Sequence, residues 1–539
     1  MVRDLHSDME TLRQVLRLTQ ERDFERAAVL AEQTLATGFE HPMLLNVIAT
    51  RLEQQGRFED SLLLLQRAVS IAPNDVGARN ALCLCLQRLD RPAEALAHVD
   101  VLLKQHPELP FAHANKGNAL LALGAFGLAK QSLVRAVELD PTNLAATASL
   151  ASIATHRGAH EEARHWAQRT LTLSPGFPDA VLSLAAAESA RGENASAERL
   201  LQQLILDWRA GPADRARAIG LLADVLDDSG RYAEAFDAYC TCKQALLQMH
   251  PPFPGTRTVD YARTLTAAVR RVNASLWQPG VAHESEAAEH VFLLGFPRTG
   301  TTLLEVVLDG HPRVVSSEEL ELLTKGVLRF MCEPLDLEPL ARADDLELRP
   351  LRRAYWDSVK SAGIDVAGKV FIDKHPLNTL KLPLIAKLFP DAKILFAIRD
   401  PRDVVLSCFR RRFKMNPAMY EFLTLPGTAS FYDAVMDFSD TARQALLISW
   451  HAVRYESLVT AFEQQMGEIC AFLGLEWDPR MGDFSQRVQS RETSTPSTAQ
   501  LSRGLVNSGI NQWHRYQEQL KPIFPAIERW VQHFGYEAT

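Results

Sequence analysis

The amino-acid sequence predicts a chain in two parts, an N-terminal α-helical repeat superhelix followed by an α/β domain built on a parallel sheet. Three observations lead there. Prolines recur at Pro73, Pro107, Pro141 and Pro175, always 34 residues apart. A short apolar strand, "HVFLLG", runs into a glycine-bearing loop and then a helix-like stretch opening near Thr301. Two further apolar strand candidates, "KVFIDK" and "AKILFAIRD", alternate with helical runs, as in parallel sheets covered on both faces. At 539 residues the chain also exceeds what a single core usually spans.

The repeat half follows from two markers sharing one period. Gly56, Gly124, Gly158 and Gly192 sit on the same lattice as the prolines, and Asp90 fills the vacant node, where an αL turn residue also fits. Between markers, "SLLLLQRAVSIAPND", "AKQSLVRAVELDPTN" and "EARHWAQRTLTLSPG" place apolar residues at i, i+3 and i+4 and end at a proline, which cannot continue a helix. Each unit therefore reads as helix, turn, helix and stop. The length and punctuation resemble the tetratricopeptide repeat, with six or seven units over roughly residues 8 to 248. The first unit has a blurred proline marker, and an insertion near "DWRAGP" shifts Gly230 off the lattice. One unit cannot bury its apolar face alone, so stacking is expected to give an extended surface suited to a protein or peptide partner.

Periodicity stops after Gln248, where "MHPPFPGTRTVD" marks a linker and "YARTLTAAVRRVNASLW" a bridging helix. The expected organisation is a repeat array over residues 1–248, a linker and bridging helix over 249–289, and the α/β domain over 290–539. The tail "KPIFPAIERWVQHFGYE" reads as a closing amphipathic helix.

Bulk properties exclude several classes. A net charge of −8 is modest for this size and argues against a nucleic-acid partner. No segment reaches the roughly 18 to 20 apolar residues that cross a bilayer, and "MVRDLHSDMETLRQVLRLTQ" lacks the apolar core of a signal peptide, so a cytoplasmic protein without membrane contact is expected. The pairs Cys83/Cys85 and Cys240/Cys242 lie in helical stretches without zinc-finger spacing, which points to free buried thiols and no metal.

The chemistry concentrates after the first strand. The loop Gly295, Phe296, Pro297, Arg298, Thr299, Gly300, Thr301, Thr302 puts backbone N–H groups at a helix N-terminus, a ready anion site. It is P-loop-like, but Thr301 stands where a Walker A lysine belongs, and no carboxylate for magnesium follows a second strand. Transfer of a γ-phosphoryl group is therefore poorly supported, leaving a P-loop kinase or ATPase as the lesser alternative. Arg298 and the threonine hydroxyls suit a 5′-phosphosulfate instead. In "AKILFAIRDPRDVVLSCF", Arg399 ends a strand, Asp400 is placed to N-cap and Pro401 to open a helix, and Ser407 lies two turns on, so that Arg399 and Ser407 can grip a second phosphate. The run Arg410-Arg411-Arg412-Phe413-Lys414 offers positive field near the bound phosphates or for an acidic acceptor, but a solvated helix end is the commoner reading of such a run.

Taken together, "FPRTGTTLLEVVLDGHPRVVSSEE", "DKHPLNTLKLPLIAKLFPDAKILFAIRDPRDVVLS", "VRYESLV" and "STAQLSRGLVNSGINQW" resemble the sulfotransferase superfamily, and among it the tyrosylprotein sulfotransferases, over roughly residues 290 to 515. The resemblance implies transfer of a sulfuryl group from 3′-phosphoadenosine 5′-phosphosulfate (PAPS) to a hydroxyl acceptor, with a protein tyrosine, a glycan and a small molecule as the open alternatives. It implies Glu319 as general base, with Arg298, Lys374 and Ser497 stabilising charge on the transferring and leaving groups. Pro297, Arg298, Thr299, Gly300, Thr301 and Thr302 would hold the 5′ end, Arg399 and Ser407 the 3′-phosphate, and Tyr455 and Arg503 would contact the nucleotide. Glu318, Asp373 and His375 read as local hydrogen-bonding groups. Where the tyrosylprotein enzymes carry threonine and arginine after the paired glutamates, Leu320 and Glu321 stand here, and Arg503 replaces a lysine. The remaining alternative is a repeat scaffold fused to an inert nucleotide fold.

Overall fold

A computed structural model describes residues 5–277, 286–484 and 509–537. Up to Met249 the described chain is a series of paired helices, from Leu5–Gln20 and Phe24–Ala36 to Pro212–Asp228 and Tyr232–Met249. The lattice markers fall in the turns. Gly56, Gly124, Gly158, Gly192 and Gly230 all take positive φ between the two helices of a pair, and Asp90 does so at +57°. Pro73, Pro107, Pro141 and Pro175 each follow a helix C-cap, at Ala72, His106, Asp140 and Ser174. The lattice thus maps onto turn chemistry. Gly230 has the required conformation although the insertion displaces it in sequence.

By packing, the chain forms two compact units that divide between Glu193 and Asn194. In the first, small apolar residues such as Ala27, Ala28, Ala31 and Leu44 bury the seams between neighbouring helices. The second contains the last repeat helices, the linker and the α/β domain. Periodicity ends at Met249, whereas the second unit begins at Asn194, because a repeating pattern and a shared core are different properties of the chain.

The sheet has five parallel strands: β1 (Glu289–Gly295), β2 (Val314–Ser316), β3 (Val370–Lys374), β4 (Lys393–Ile398) and β5 (Ser449–Arg454), in the order β2-β3-β1-β4-β5. Successive side chains of a strand point to opposite faces, and the two cores follow that alternation. Val291 and Leu293 join Ile372, Leu395 and the helix Thr301–Leu308 in one core. Phe292 and Leu294 join Phe371, Ile394 and Phe396 in the other. That second core extends to Ala223, Leu226, Ala235 and Tyr239 of the last helical pair and to Val259, Leu265 and Val269 of the bridging helix Thr258–Arg271. The closing helix Phe524–His533 buries Ile527, Trp530 and Val531. No helix among the described residues is long and apolar enough to cross a membrane. All seven cysteines are free thiols; Cys83 and Cys85 are buried, and burial pushes the Cys83 thiol up to about 12.

β1 lies between β3 and β4, so the chain crosses to opposite sides of it on leaving β3. The crevice at the carboxyl end of β1 is therefore the topological switch point, where doubly wound sheets take their ligands.

Candidate active site

Three strand ends deliver the site. After β1 the chain turns sharply: Gly295 and Gly300 have φ of +152° and +99°, and Arg298 is left-handed at +73°. Both glycines are required by close approach. A Cβ on Gly295 would lie 2.7 Å from the Ala397 carbonyl oxygen, and one on Gly300 would lie 2.6 Å from the Tyr455 ring. Thr299 braces the turn, its hydroxyl donating to the Phe296 carbonyl at 2.7 Å. The helix Thr301–Leu308 begins directly behind it.

At the end of β4, Asp400 caps the helix Pro401–Arg410 by accepting from the Arg402 N–H at 2.9 Å. The buried Arg399 donates through Nη1 to the Arg298 carbonyl at 3.0 Å and through Nη2 to the Gly509 carbonyl. Its guanidinium lies 4.8 Å from the centre of the Tyr455 ring, and its Nε is buried without a hydrogen-bond partner among the described residues. Arg298 Nε in turn donates to Ser407 Oγ at 3.1 Å. Arg298, Arg399, Ser407 and Tyr455 are thus brought together. Burial, then the nearby Arg411 and Arg399 charges, push the Arg298 guanidinium down to about 9. Such a strongly positive, poorly solvated spot is relieved by an anion.

At the end of β3, Lys374 is wholly buried and donates from Nζ to Glu319 Oε1 at 2.8 Å while pairing with Glu305 Oε2 at 3.2 Å. Burial works against its charge, but the Glu305 and Glu319 carboxylates more than offset that and raise its pKa. Glu318 has φ of +52°, and its pKa is raised by burial. Asp373 accepts from the Tyr355 hydroxyl at 2.7 Å and from Asn378 at 3.4 Å, and burial lifts it to about 6. His375 and Lys381 both hold Glu321, at 3.1 and 2.7 Å, and these partners bring its carboxyl down to about 2. Asp373 is enclosed among Tyr355 and Asn378, whereas His375 also lines the cavity described next.

A cavity of about 660 Å³ connects these groups. Pro297, Arg298, Gly300, Thr301, Thr302, Arg399 and Tyr455 line one part, and Glu319 and Glu321 stand at its wall. Beyond them the lining turns apolar, with Tyr261, Met331, Leu377, Leu380, Phe413 and Met419. Thr299 and Lys374 lie behind this surface. Ser497 and Arg503 lie outside the described residues.

The basic run after Ser407 corrects the preferred sequence expectation. Arg410 and Arg412 are not a solvated helix end: they pair with Asp227 at 2.6 Å and Asp224 at 2.9 Å. Between them, Arg411 is the C-cap of the helix Pro401–Arg410, and its charge, with that of Arg399, lowers the Arg298 pKa.

A glycine turn at a switch point, a second arginine at the adjoining strand end, and a carboxylate facing an apolar recess make this crevice the candidate ligand site of an α/β domain. Comparison with known proteins narrows this. The model of the sulfotransferase family matches residues 289–479, and two tetratricopeptide-repeat models match residues 52–114 and 114–178. The chain therefore carries a sulfotransferase-family domain behind tetratricopeptide repeats. It is 24% identical over 419 residues to an uncharacterized protein of Aquifex aeolicus, covering 75% of this chain and 53% of that one, so it spans about half of that relative's length. It is 28% identical over 240 residues to a putative protein-tyrosine sulfotransferase of Caenorhabditis briggsae (41% of this chain, 80% of that one). With protein-tyrosine sulfotransferase 2 of Gallus gallus it shares 24% identity over 253 residues (45% and 63%).

Proposed function

We propose that the C-terminal domain transfers a sulfuryl group from PAPS to a hydroxyl carried on an apolar or aromatic body, a phenol being the simplest case. The observation that carries this reading is the meeting of Arg298, Arg399 and Ser407 at a glycine turn that has Thr301 in place of a P-loop lysine. In this reading the loop N–H groups and Arg298 hold the 5′-phosphosulfate, and Arg399, with its buried Nε, and Ser407 hold the 3′-phosphate. Glu319 takes the acceptor proton as the acceptor oxygen bonds to sulfur and the bond from sulfur to the 5′-phosphate oxygen breaks. With Glu319 neutralised, the Lys374 ammonium keeps Glu305 as its counter-charge and lends more positive field to the phosphate as charge develops there, which links proton removal to leaving-group stabilisation. Ser497 and Arg503 are assigned to the donor on sequence resemblance alone.

The apolar recess suits an aromatic acceptor, including a tyrosine side chain, and the names of the relatives support that class. Glu321 faces the cavity already paired with His375 and Lys381, so the cations nearest the recess are occupied. Recruitment of a protein acceptor or partner is assigned to the tetratricopeptide repeats, as such arrays bind extended surfaces.

The test is calorimetric titration with 3′-phosphoadenosine 5′-phosphate, ADP and ATP in EDTA, followed by an acceptor screen with PAPS. Metal-free binding restricted to the 3′-phosphorylated nucleotide is expected. Magnesium-dependent ATP binding would overturn the donor assignment in favour of a triphosphate enzyme, and no nucleotide binding would favour an inert fold.

A further inference from the structure

The last helical pair does more than end the repeat series. On the helix Pro212–Asp228, Asp224 and Asp227 share one face, three residues apart. Asp227 accepts from Arg410 Nη2 at 2.6 Å and from the Tyr516 hydroxyl. Asp224 accepts from Arg412 Nη2 at 2.9 Å and from the Tyr239 hydroxyl at 2.8 Å. Gly220, one turn earlier, admits the Arg412 stem: a Cβ there would lie 2.6 Å from Arg412 Cδ. From the next helix, Lys243 Nζ donates to the Arg411 carbonyl at 2.6 Å. The two arginines flanking Arg411 and its own backbone are therefore all held by the repeat helices.

We infer that Asp224 and Asp227 are positioning residues of the donor site, fixing Arg410 and Arg412 on the repeat so that the guanidinium of Arg411 is directed toward Arg298 and the donor's phosphate groups. This rests on the donor reading above. Arg411 has the placement for the role: it is the C-cap residue directly after the helix Pro401–Arg410, four positions beyond Ser407, and Ser407 bonds Arg298 at 3.1 Å. Burial, with the Arg412 and Arg410 charges, lowers its pKa despite Asp224, and an anion beside it would offset that burial. The next anchor along this segment is Phe413, packed on Phe422 at 5.4 Å, so Asp224, Asp227 and Lys243 are what hold residues 410–412 themselves. Donor affinity then depends on a helix that belongs, by sequence, to the repeat array.

The test uses the full-length chain, with 3′-phosphoadenosine 5′-phosphate binding measured by calorimetry and thermal melting followed separately. Asp224→Asn combined with Asp227→Asn keeps side-chain shape while removing charge. It should weaken nucleotide binding about tenfold or more, with the unliganded protein still melting cooperatively. Arg411→Ala should cost about tenfold in the wild-type background and little in the double-Asn background, because a misdirected arginine has little left to lose. A purely structural clamp would lower the melting temperature and leave the dissociation constant unchanged; equal costs of Arg411→Ala in both backgrounds would likewise overturn the inference. Should the double variant fail to fold, Asp224→Asn alone decides it with the same two outcomes, since that ion pair is only partly buried, at 31% and 34% exposed. Failure of wild type to bind the nucleotide would instead remove the donor reading itself.

Discussion

Glu319 and Asp373 show how burial separates two carboxylates close in the fold. Glu319 is the half-exposed one, facing the cavity with Lys374 at 2.8 Å, and its role as base predicts that Glu319→Gln lowers kcat by about 10² to 10⁴-fold while nucleotide affinity stays near wild type. Full turnover in that variant would remove Glu319 from the base role. Asp373 is fully buried against Tyr355, and its folded pKa of about 6 lies above the unfolded value of 3.8. A raised folded pKa gives stability that is complete below the unfolded pKa and lost as pH rises through the folded one. Asp373→Asn keeps an acceptor for the Tyr355 hydroxyl and offers N–H to Asn378 Oδ1, which is buried and unbonded. The variant should therefore gain stability over wild type between pH of about 4 and about 7, by at most about 3 kcal/mol, and hold that margin above it. Melting curves at three pH values check the sign; a margin independent of pH would show that Asp373 does not titrate in this window.

The strand, loop and helix around Gly300 form a unit in which conformation and packing impose the same residue. A positive φ disfavours any side chain, and the Tyr455 ring occupies the place where a Cβ would go. Gly300→Ala should cost about 1 to 3 kcal/mol of stability and displace Tyr455 from beneath Arg399, weakening donor binding as well. Unchanged melting and affinity would mean that the loop relaxes freely. The turn glycine Gly56 makes a useful control, having positive φ but open space around it. The same distinction explains how the elements were read. β1, β3 and β4 are continuous apolar runs buried on both faces and are plain in sequence. β2 has three residues and β5, at the sheet edge, fully buries only Val453, so neither carries an apolar signature strong enough to read.

Across the whole molecule, packing divides the chain at Glu193 and Asn194, within the repeat series. Removing residues 1–193 should leave a body that melts cooperatively and binds 3′-phosphoadenosine 5′-phosphate with near wild-type affinity. Removing residues 1–248 should not, because Leu226, Ala235 and Tyr239 are part of the core shared with β1 and the bridging helix, and Asp224 and Asp227 go with them. Equal stability of the two truncations, read from thermal melts, would show that the last helical pair is dispensable to the α/β core.

The sequence by itself determined what depends on local periodicity and local turn chemistry. The 34-residue lattice, the positive φ at Asp90, the cap at Asp400 and the phosphate-binding turn before Thr301 are each set by neighbours a few residues away. It also named the residues that meet at the first part of the cavity, since Arg298, Arg399, Ser407 and Tyr455 lie at strand ends or one or two turns into a helix. Only the tertiary structure decided what each charged group faces. Lys374 spans two glutamates, Glu321 is shared by His375 and Lys381, and Arg410 and Arg412 face aspartates nearly 190 residues earlier in the chain. A charged residue carries no periodic signal, and its partner is chosen by whichever element burial brings alongside it, which only long-range packing specifies.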